Sequence, residues 1–359
     1  MVYLDVAATT QPSFTAMMKF KEISERNWMN PSSKTYSSSA ATALSDARKT
    51  IAGIIGAEPE QIFFTSGATE AANWVMAQPW DRIIISAIEH PCVDEAAFMP
   101  YRIPVDRNGV IDLDRLRQQL EAFKFDARVL VAIMGANNEI GTVEPVRKIA
   151  SIVHEYPNAR YFADNTQLWA HGDTPRLDGV DFACASAHKF GGFKGTGFLY
   201  VKEPDDLSPL LYGGHQERGL RAGTENVGGI AAMAAAFEEN VRYGDPEAVN
   251  IRKYIDRLAH EAGYVVNADG YGLPNIVSIT LPDCGALEMI VALAMDGIYV
   301  SAGSACTSGS AAPSRILKAI GLTDDEALRT IRVSFDRKTR MEDINYLFER
   351  IKYYREMLP

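Results

Sequence analysis

The sequence predicts an α/β protein: a large domain built on a doubly wound, mainly parallel sheet, with a smaller α+β domain beside it. Three observations carry this expectation. Between Gln61 and Val201, short β-rich runs that are apolar on both faces alternate with helical patterns, as strands buried under helices do. After Tyr243-Gly244-Asp245-Pro246 the alternation gives way to long helical patterns with few strands, and such a break suits a domain boundary. A chain of 359 residues that is 47% hydrophobic has room for roughly two domains with sizeable cores.

The elements follow in order. Ser37-Ser38-Ser39 and the alanines after them begin a helix rather than a linker. Strands are expected over residues 62–65, 82–86, 128–134, 160–163, 181–185 and 197–201, with helices over 113–122 and 146–155 between some of them. A helix over 225–242 reaches the break and could itself join the domains. Beyond it come a polar helix, a strand over 276–281, a helix over 287–295, a strand over 331–335 and a charged final helix. The expected division is residues 12–244 for the large domain, and 1–11 with 245–359 for the small one.

Composition narrows the function. A formal net charge of −10 and a pI near 5.2 work against direct binding of nucleic acid. The longest apolar stretches, 128–136 and 228–237, fall short of the ~20 residues that span a bilayer, so no membrane span is expected. The opening Met1-Val2-Tyr3-Leu4-Asp5 lacks a basic region followed by an apolar one, which points to the cytoplasm. Cys92, Cys184, Cys284 and Cys306 are far apart, with no CxxC pair and no paired histidine spacing, so no metal site is expected. Any one of them could be a small buried hydrophobe.

The chemistry sits at strand ends. Ser186-Ala187-His188-Lys189 puts a lysine just past an apolar strand and before the glycine-rich run Gly191 to Gly197. In the crevice at a strand's carboxyl end, a desolvated lysine loses its proton and attacks an aldehyde. An ordinary surface lysine fits the same position. Asp164 also follows a strand, where a carboxylate can pair with a pyridinium nitrogen through a bond of about 1.5–3 kcal/mol, with Gln167 in reach of a ring hydroxyl. Capping the next helix is the plainer use of that aspartate. Thr65-Ser66-Gly67-Ala68-Thr69-Glu70 joins a strand to a helix, placing amides and the helix dipole where they attract phosphate. Ser186 and His188 could complete that cup, and Thr69 could equally be an N-cap. Cys306 lies in a run of Ser, Ala, Gly and Thr that reads as a mobile loop, which suits an accessible nucleophile.

With lysine, acid and phosphate cup on one rim, the chain resembles the pyridoxal-phosphate enzymes of the aspartate-aminotransferase-like fold, in their class V branch. Further motifs resemble the cysteine desulfurases: Tyr3-Leu4-Asp5 with Ala7-Ala8-Thr9-Thr10, Asn30-Pro31-Ser32-Ser33, Glu89-His90, Asn137-Asn138-Glu139-Ile140-Gly141, Gln216-Glu217-Arg218-Gly219, Arg221-Ala222-Gly223-Thr224-Glu225-Asn226, and Ser301-Ala302-Gly303-Ser304-Ala305-Cys306-Thr307-Ser308. They run in order along nearly the whole chain. The resemblance implies pyridoxal 5'-phosphate as a Schiff base on Lys189, contacted by Ala68, Thr69, Asp164, Gln167, Ser186 and His188. His90 would stack on the ring and move protons. Asn138 and Arg332 would hold the carboxylate of L-cysteine, although Arg332 on an amphipathic strand could also belong to a structural ion pair.

The same resemblance implies a homodimer in which Thr224 reaches the phosphate of the partner subunit's cofactor. Cys306 would take the sulfur as a persulfide, in the branch with a long serine-rich loop. A sulfur-acceptor protein in iron–sulfur assembly, tRNA thiolation or DNA sulfur modification would then receive it. The alternative is a selenocysteine lyase or another class V lyase or aminotransferase. The chain departs from the family pattern where the segment from His90 to Val105 is shorter, where Phe190-Gly191-Gly192-Phe193 replaces a tyrosine-glycine-proline pattern, at Val6, and at His215 in place of a glycine. Cys92, Cys184 and Cys284 read as structural.

Overall fold

Alternation along each central strand sorts its side chains into two cores in the computed structural model, which describes residues 1–33, 38–123, 127–172, 175–269, 272–303 and 312–357. Val129 and Val131 join one core with Ile84, Tyr161 and Phe198, while Leu130 and Ala132 join another with Ile83, Phe162 and Leu199. A side-chain period of two in strands buried on both faces produces this split. Each fully buried aliphatic or aromatic side chain contributes about 1.5–3 kcal/mol. Helices Phe14–Arg26, Ser38–Ile55 and Val227–Tyr243 cover the first core, and helix Ala68–Met76 covers the second.

Among the described residues the central sheet runs Ile62–Thr65, Gly197–Val201, Phe182–Ser186, Ala159–Asp164, Val129–Ala132, Arg82–Ser86, Tyr101–Ile103. Gly197–Val201 alone runs against the other strands, so the sheet is mainly parallel, as the sequence predicts. Every expected strand forms, with ends shifted by at most two residues. The strand expected over 128–134 contracts to Val129–Ala132, and Asp164 closes its strand instead of following it. Tyr101–Ile103 was not expected, because Tyr101 and Arg102 face solvent and the doubly apolar signature is missing.

A second sheet is antiparallel throughout, in the order Ser301–Ala302, Thr330–Ser334, Ile276–Thr280, Val265–Asn267. Helices Ala248–Glu261, Ala286–Met295 and Met341–Arg355 pack on it around a core of their own. Leu4 belongs to that core, and the Ser334 amide donates to the Leu4 carbonyl at 2.8 Å. The chain then crosses to the central sheet: the Thr10 amide donates to the His188 carbonyl at 2.8 Å, and the Gly191 amide donates to the Thr10 hydroxyl at 2.8 Å. The first residues thus tie the second sheet to the loop that carries Lys189. No helix among the described residues is long and apolar enough to cross a membrane.

Candidate active site

Register brings the strand ends to one edge. Thr65 pairs with Gly197, Gly197 with Ser186, and Cys184 with Asp164. A cavity of about 290 Å³ opens beside that edge, where open α/β sheets bind their ligands. Lys189 ends a single turn after strand Phe182–Ser186, and its Nζ donates to the carbonyls of Ala7 at 2.6 Å and Ala8 at 2.9 Å. Asp164 Oδ1 accepts from the Thr166 amide at 3.0 Å, and the Cys92 thiol lies 3.8 Å from Oδ2. The carboxylate therefore borders the cavity and also serves the start of helix Thr166–His171, whose N-cap is Asn165. Gln167 Nε2 donates to the Ala7 carbonyl at 2.8 Å, while its buried Oε1 has no partner among the described residues.

The turn after strand Ile62–Thr65 forms the next wall. Helix Ala68–Met76 takes Gly67 as its N-cap, not Thr69. The Ala68 amide donates to Ser186 Oγ at 2.8 Å, and the amides of Thr69 and Glu70 stand in the first turn, where a helix has no internal acceptors. Glycine makes this approach possible: a Cβ on Gly197 would lie 2.6 Å from Gly67 Cα. Arg221 grips Glu70 through two bonds of 2.9 and 3.0 Å, which steadies the turn. His188 Nδ1 lies 3.1 Å from the Thr9 hydroxyl, and burial pushes its pKa down to about 4.

His90 caps the single-turn helix Pro91–Asp94, its Nδ1 accepting the Cys92 amide at 3.1 Å. That bond requires the lone pair on Nδ1 and so places the ring proton on Nε2. Burial lowers the His90 pKa, against a smaller opposing pull from Asp164. Burial likewise raises the Cys92 thiol well above its ordinary value, which keeps it protonated and a poor nucleophile. The one-turn helix accounts for the short segment noted in the sequence after His90.

At the other end of the cavity, Arg332 on strand Thr330–Ser334 donates to Asp5 Oδ1 at 2.6 Å and to the Asn138 carbonyl at 2.8 Å, while its buried Nε has no partner among the described residues. The arginine is ion-paired, as one reading of the sequence expects, and it lines the cavity with Asn138.

Residues 2–347 match the family described as aminotransferase class-V. Cysteine desulfurase IscS of Dictyoglomus turgidum is 35% identical over 371 residues, covering 97% of this chain and 93% of that protein. The chain belongs to the cysteine desulfurase family of class V aminotransferases. A solved NifS-like protein superposes with a TM-score of 0.89 at 30% identity, covering 99% of this chain and 100% of that one. The structure of SspA in complex with cysteine gives a TM-score of 0.81 at 28% identity, covering 94% of this chain and 99% of that one. Enzymes of this family depend on pyridoxal phosphate.

The cavity thus gathers Ala68, Thr69, His90, Asn138, Asp164, Gln167, Ser186, His188, Lys189 and Arg332, all of them expected from the sequence. Thr224 lies elsewhere, in a depression with Ser66, Glu217 and Arg221. Cys306 lies outside the described residues, and Gly303, the last described residue before it, lines the cavity. Sequence reasoning missed the carbonyls of Ala7 and Ala8, which the alanine side chains cannot advertise, and gave no place in the cavity to Cys92 or Met134.

Proposed function

We propose that the protein is a cysteine desulfurase that holds pyridoxal phosphate on Lys189, converts L-cysteine to L-alanine and collects the sulfur on Cys306. The observation that carries this is the convergence of Lys189, Asp164 and the helix start at Ala68 and Thr69 on one cavity. The lining fits the cofactor. First-turn amides with Ser186 suit a phosphate, Asp164 suits a ring nitrogen, and the unpartnered Gln167 Oε1 suits a ring hydroxyl. Bound there, the cofactor supplies an electron sink that makes the Cα proton of cysteine acidic.

The chain's own groups do the rest. The Lys189 amine, held beside the Ala7 and Ala8 carbonyls, takes the Cα proton. Arg332 and Asn138 orient the substrate carboxylate through the guanidinium fork. Neutral His90, with its proton on Nε2, donates and recovers a proton at the reacting carbon or sulfur. The Cys306 thiolate attacks the substrate sulfur: an S–S bond forms, the substrate C–S bond breaks, and a proton added at the carbon left behind, with the Cα proton returned, gives alanine. That SspA was solved in complex with cysteine supports cysteine as the substrate. The same reading makes the protein a cytoplasmic homodimer that passes its persulfide to a sulfur-acceptor protein.

The visible spectrum tests it. Lys189→Ala is expected to abolish the yellow absorbance of the purified protein, and Cys306→Ala to keep the colour yet release no sulfide from cysteine. A colourless wild-type protein that stays colourless with added pyridoxal phosphate would overturn the reading.

A further inference from the structure

Beside the cavity-lining Asn138 stands a buried acid that the mechanism leaves without a task. Glu139 is 8% exposed, on the turn that follows Asn138, and its Oε2 accepts the Ser314 hydroxyl at 2.6 Å. Ser314 is the N-cap of helix Arg315–Ala319, where the same Oγ accepts the amides of Ile316 and Leu317. Across from it, a Cβ on Gly303 would lie 2.9 Å from Glu139 Oε2. One carboxyl therefore accepts from Ser314 and fills the space beside Gly303, two residues that flank Cys306 in the sequence.

The neighbours extend the pattern. Asn138, adjacent to Glu139, offers its carbonyl to Arg332 at 2.8 Å. Ser301 and Ala302 pair with Arg332 and Ile331 just before Gly303. Arg315, next to Ser314, donates to the Glu89 carbonyl at 2.7 Å and to the Ala87 carbonyl, beside the His90 turn. The turn carrying Glu139 thus sits between the arginine assigned to the substrate carboxylate and both roots of the sulfur-accepting segment. Burial raises the Glu139 carboxyl to about 7, with Ser314, Arg332 and Arg315 pulling the other way, so a neutral amide is a close mimic of its protonated form.

We infer that Glu139 is a positioning residue for sulfur transfer, holding Ser314 and the backbone at Gly303, on either side of Cys306 in the sequence, beside the turn that meets Arg332. The inference rests on the desulfurase reading. It does not require Glu139 to touch cofactor or substrate. Removing the brace is expected to leave cofactor loading and cysteine binding in place while slowing transfer, because small misplacements of a nucleophile cost rate steeply.

The test separates the two steps in a single turnover of the holoenzyme. The cysteine-induced change in visible absorbance reports substrate engagement, and mass spectrometry of the Cys306 peptide reports the persulfide. Glu139→Ala is expected to keep the absorbance change within about twofold and to slow persulfide formation about tenfold or more. Glu139→Gln, which keeps an acceptor for Ser314, is expected to restore most of the rate. Persulfide formation at the wild-type rate in Glu139→Ala would overturn the inference, and so would equal slowing of both signals, which a general structural role produces. Absence of any Cys306 persulfide in the wild-type protein would instead overturn the desulfurase reading and this role with it.

Discussion

At the scale of single residues, the floor of the cavity depends on which carboxyls carry charge. Glu89 is fully buried near Asp164, its Oε1 accepting the Ser86 hydroxyl at 2.5 Å and the Met134 amide at 3.0 Å, while Oε2 has no partner among the described residues. An ionised oxygen without a donor is costly in such a place, and burial pushes the carboxyl up to about 8. Glu89 therefore adds no second charge beside Asp164 near neutral pH. The sign of the linkage follows from the direction of the shift. Between the ordinary carboxyl range and about pH 8, the unfolded chain gives up this proton while the folded protein keeps it, so Glu89 lowers stability as pH rises through that window. Glu89→Gln has no such proton to lose. Its stability relative to wild type is expected to improve from pH 5 to pH 8 by roughly 3–5 kcal/mol, read from denaturant midpoints at several pH values. A difference that stays constant with pH would show that Glu89 is ionised in the folded protein.

At the scale of elements, the proposed phosphate cup is a junction between strand Gly197–Val201 and the turn before helix Ala68–Met76. Gly197 lets them meet, since a Cβ there would press against the Ala185 carbonyl and Gly67 Cα, both at 2.6 Å. Neither atom is the end of a flexible side chain. Gly197→Ala is expected to destabilise the protein by about 1–3 kcal/mol and to weaken cofactor retention on dialysis more than a surface Gly→Ala does. Unchanged retention would mean that the junction does not shape the cup. This junction also shows what the sequence reveals. Central strands such as Val129–Ala132 are legible because both faces are apolar, and Lys189 and Asp164 because their chemistry stands at strand ends. Tyr101–Ile103 is hidden by its exposed side chains, and Val265–Asn267 and Ser301–Ala302 by their length. Glu89 and Glu139 look like surface acids until packing buries them, and the lysine's acceptors are backbone atoms that no side-chain pattern encodes.

At the scale of the whole molecule, the loop leading to Thr224 is built at a cost and takes no part in lining the cavity of its own chain. Glu217 and Arg218 adopt left-handed conformations with φ of 46° and 59°, each costing on the order of 1 kcal/mol or more. They are held by the buried Arg48–Glu217 ion pair at 2.6 Å, the Phe64 amide on Glu217 at 3.0 Å, and Arg218 stacked 4.0 Å over Phe63. Strained yet tightly anchored, the loop leaves Tyr212 84% exposed and Thr224 on the surface. Exposed aromatic surface on a rigid support suits contact with another chain, in keeping with the proposal that Thr224 serves a partner subunit's cofactor. Thr224→Val is expected to weaken cofactor affinity about tenfold, the loss of one hydrogen bond to a charged group. Heterodimers of a Thr224→Val chain with a Lys189→Ala chain decide whether the contact crosses subunits. In them the only lysine-bearing site belongs to the Thr224→Val chain, and its phosphate would meet the intact Thr224 of the other. That site is expected to hold its colour on dialysis as well as wild type does. Colour lost as readily as from Thr224→Val homodimers would show that Thr224 acts within its own subunit, and a monomeric wild-type protein in sedimentation would remove the partner altogether.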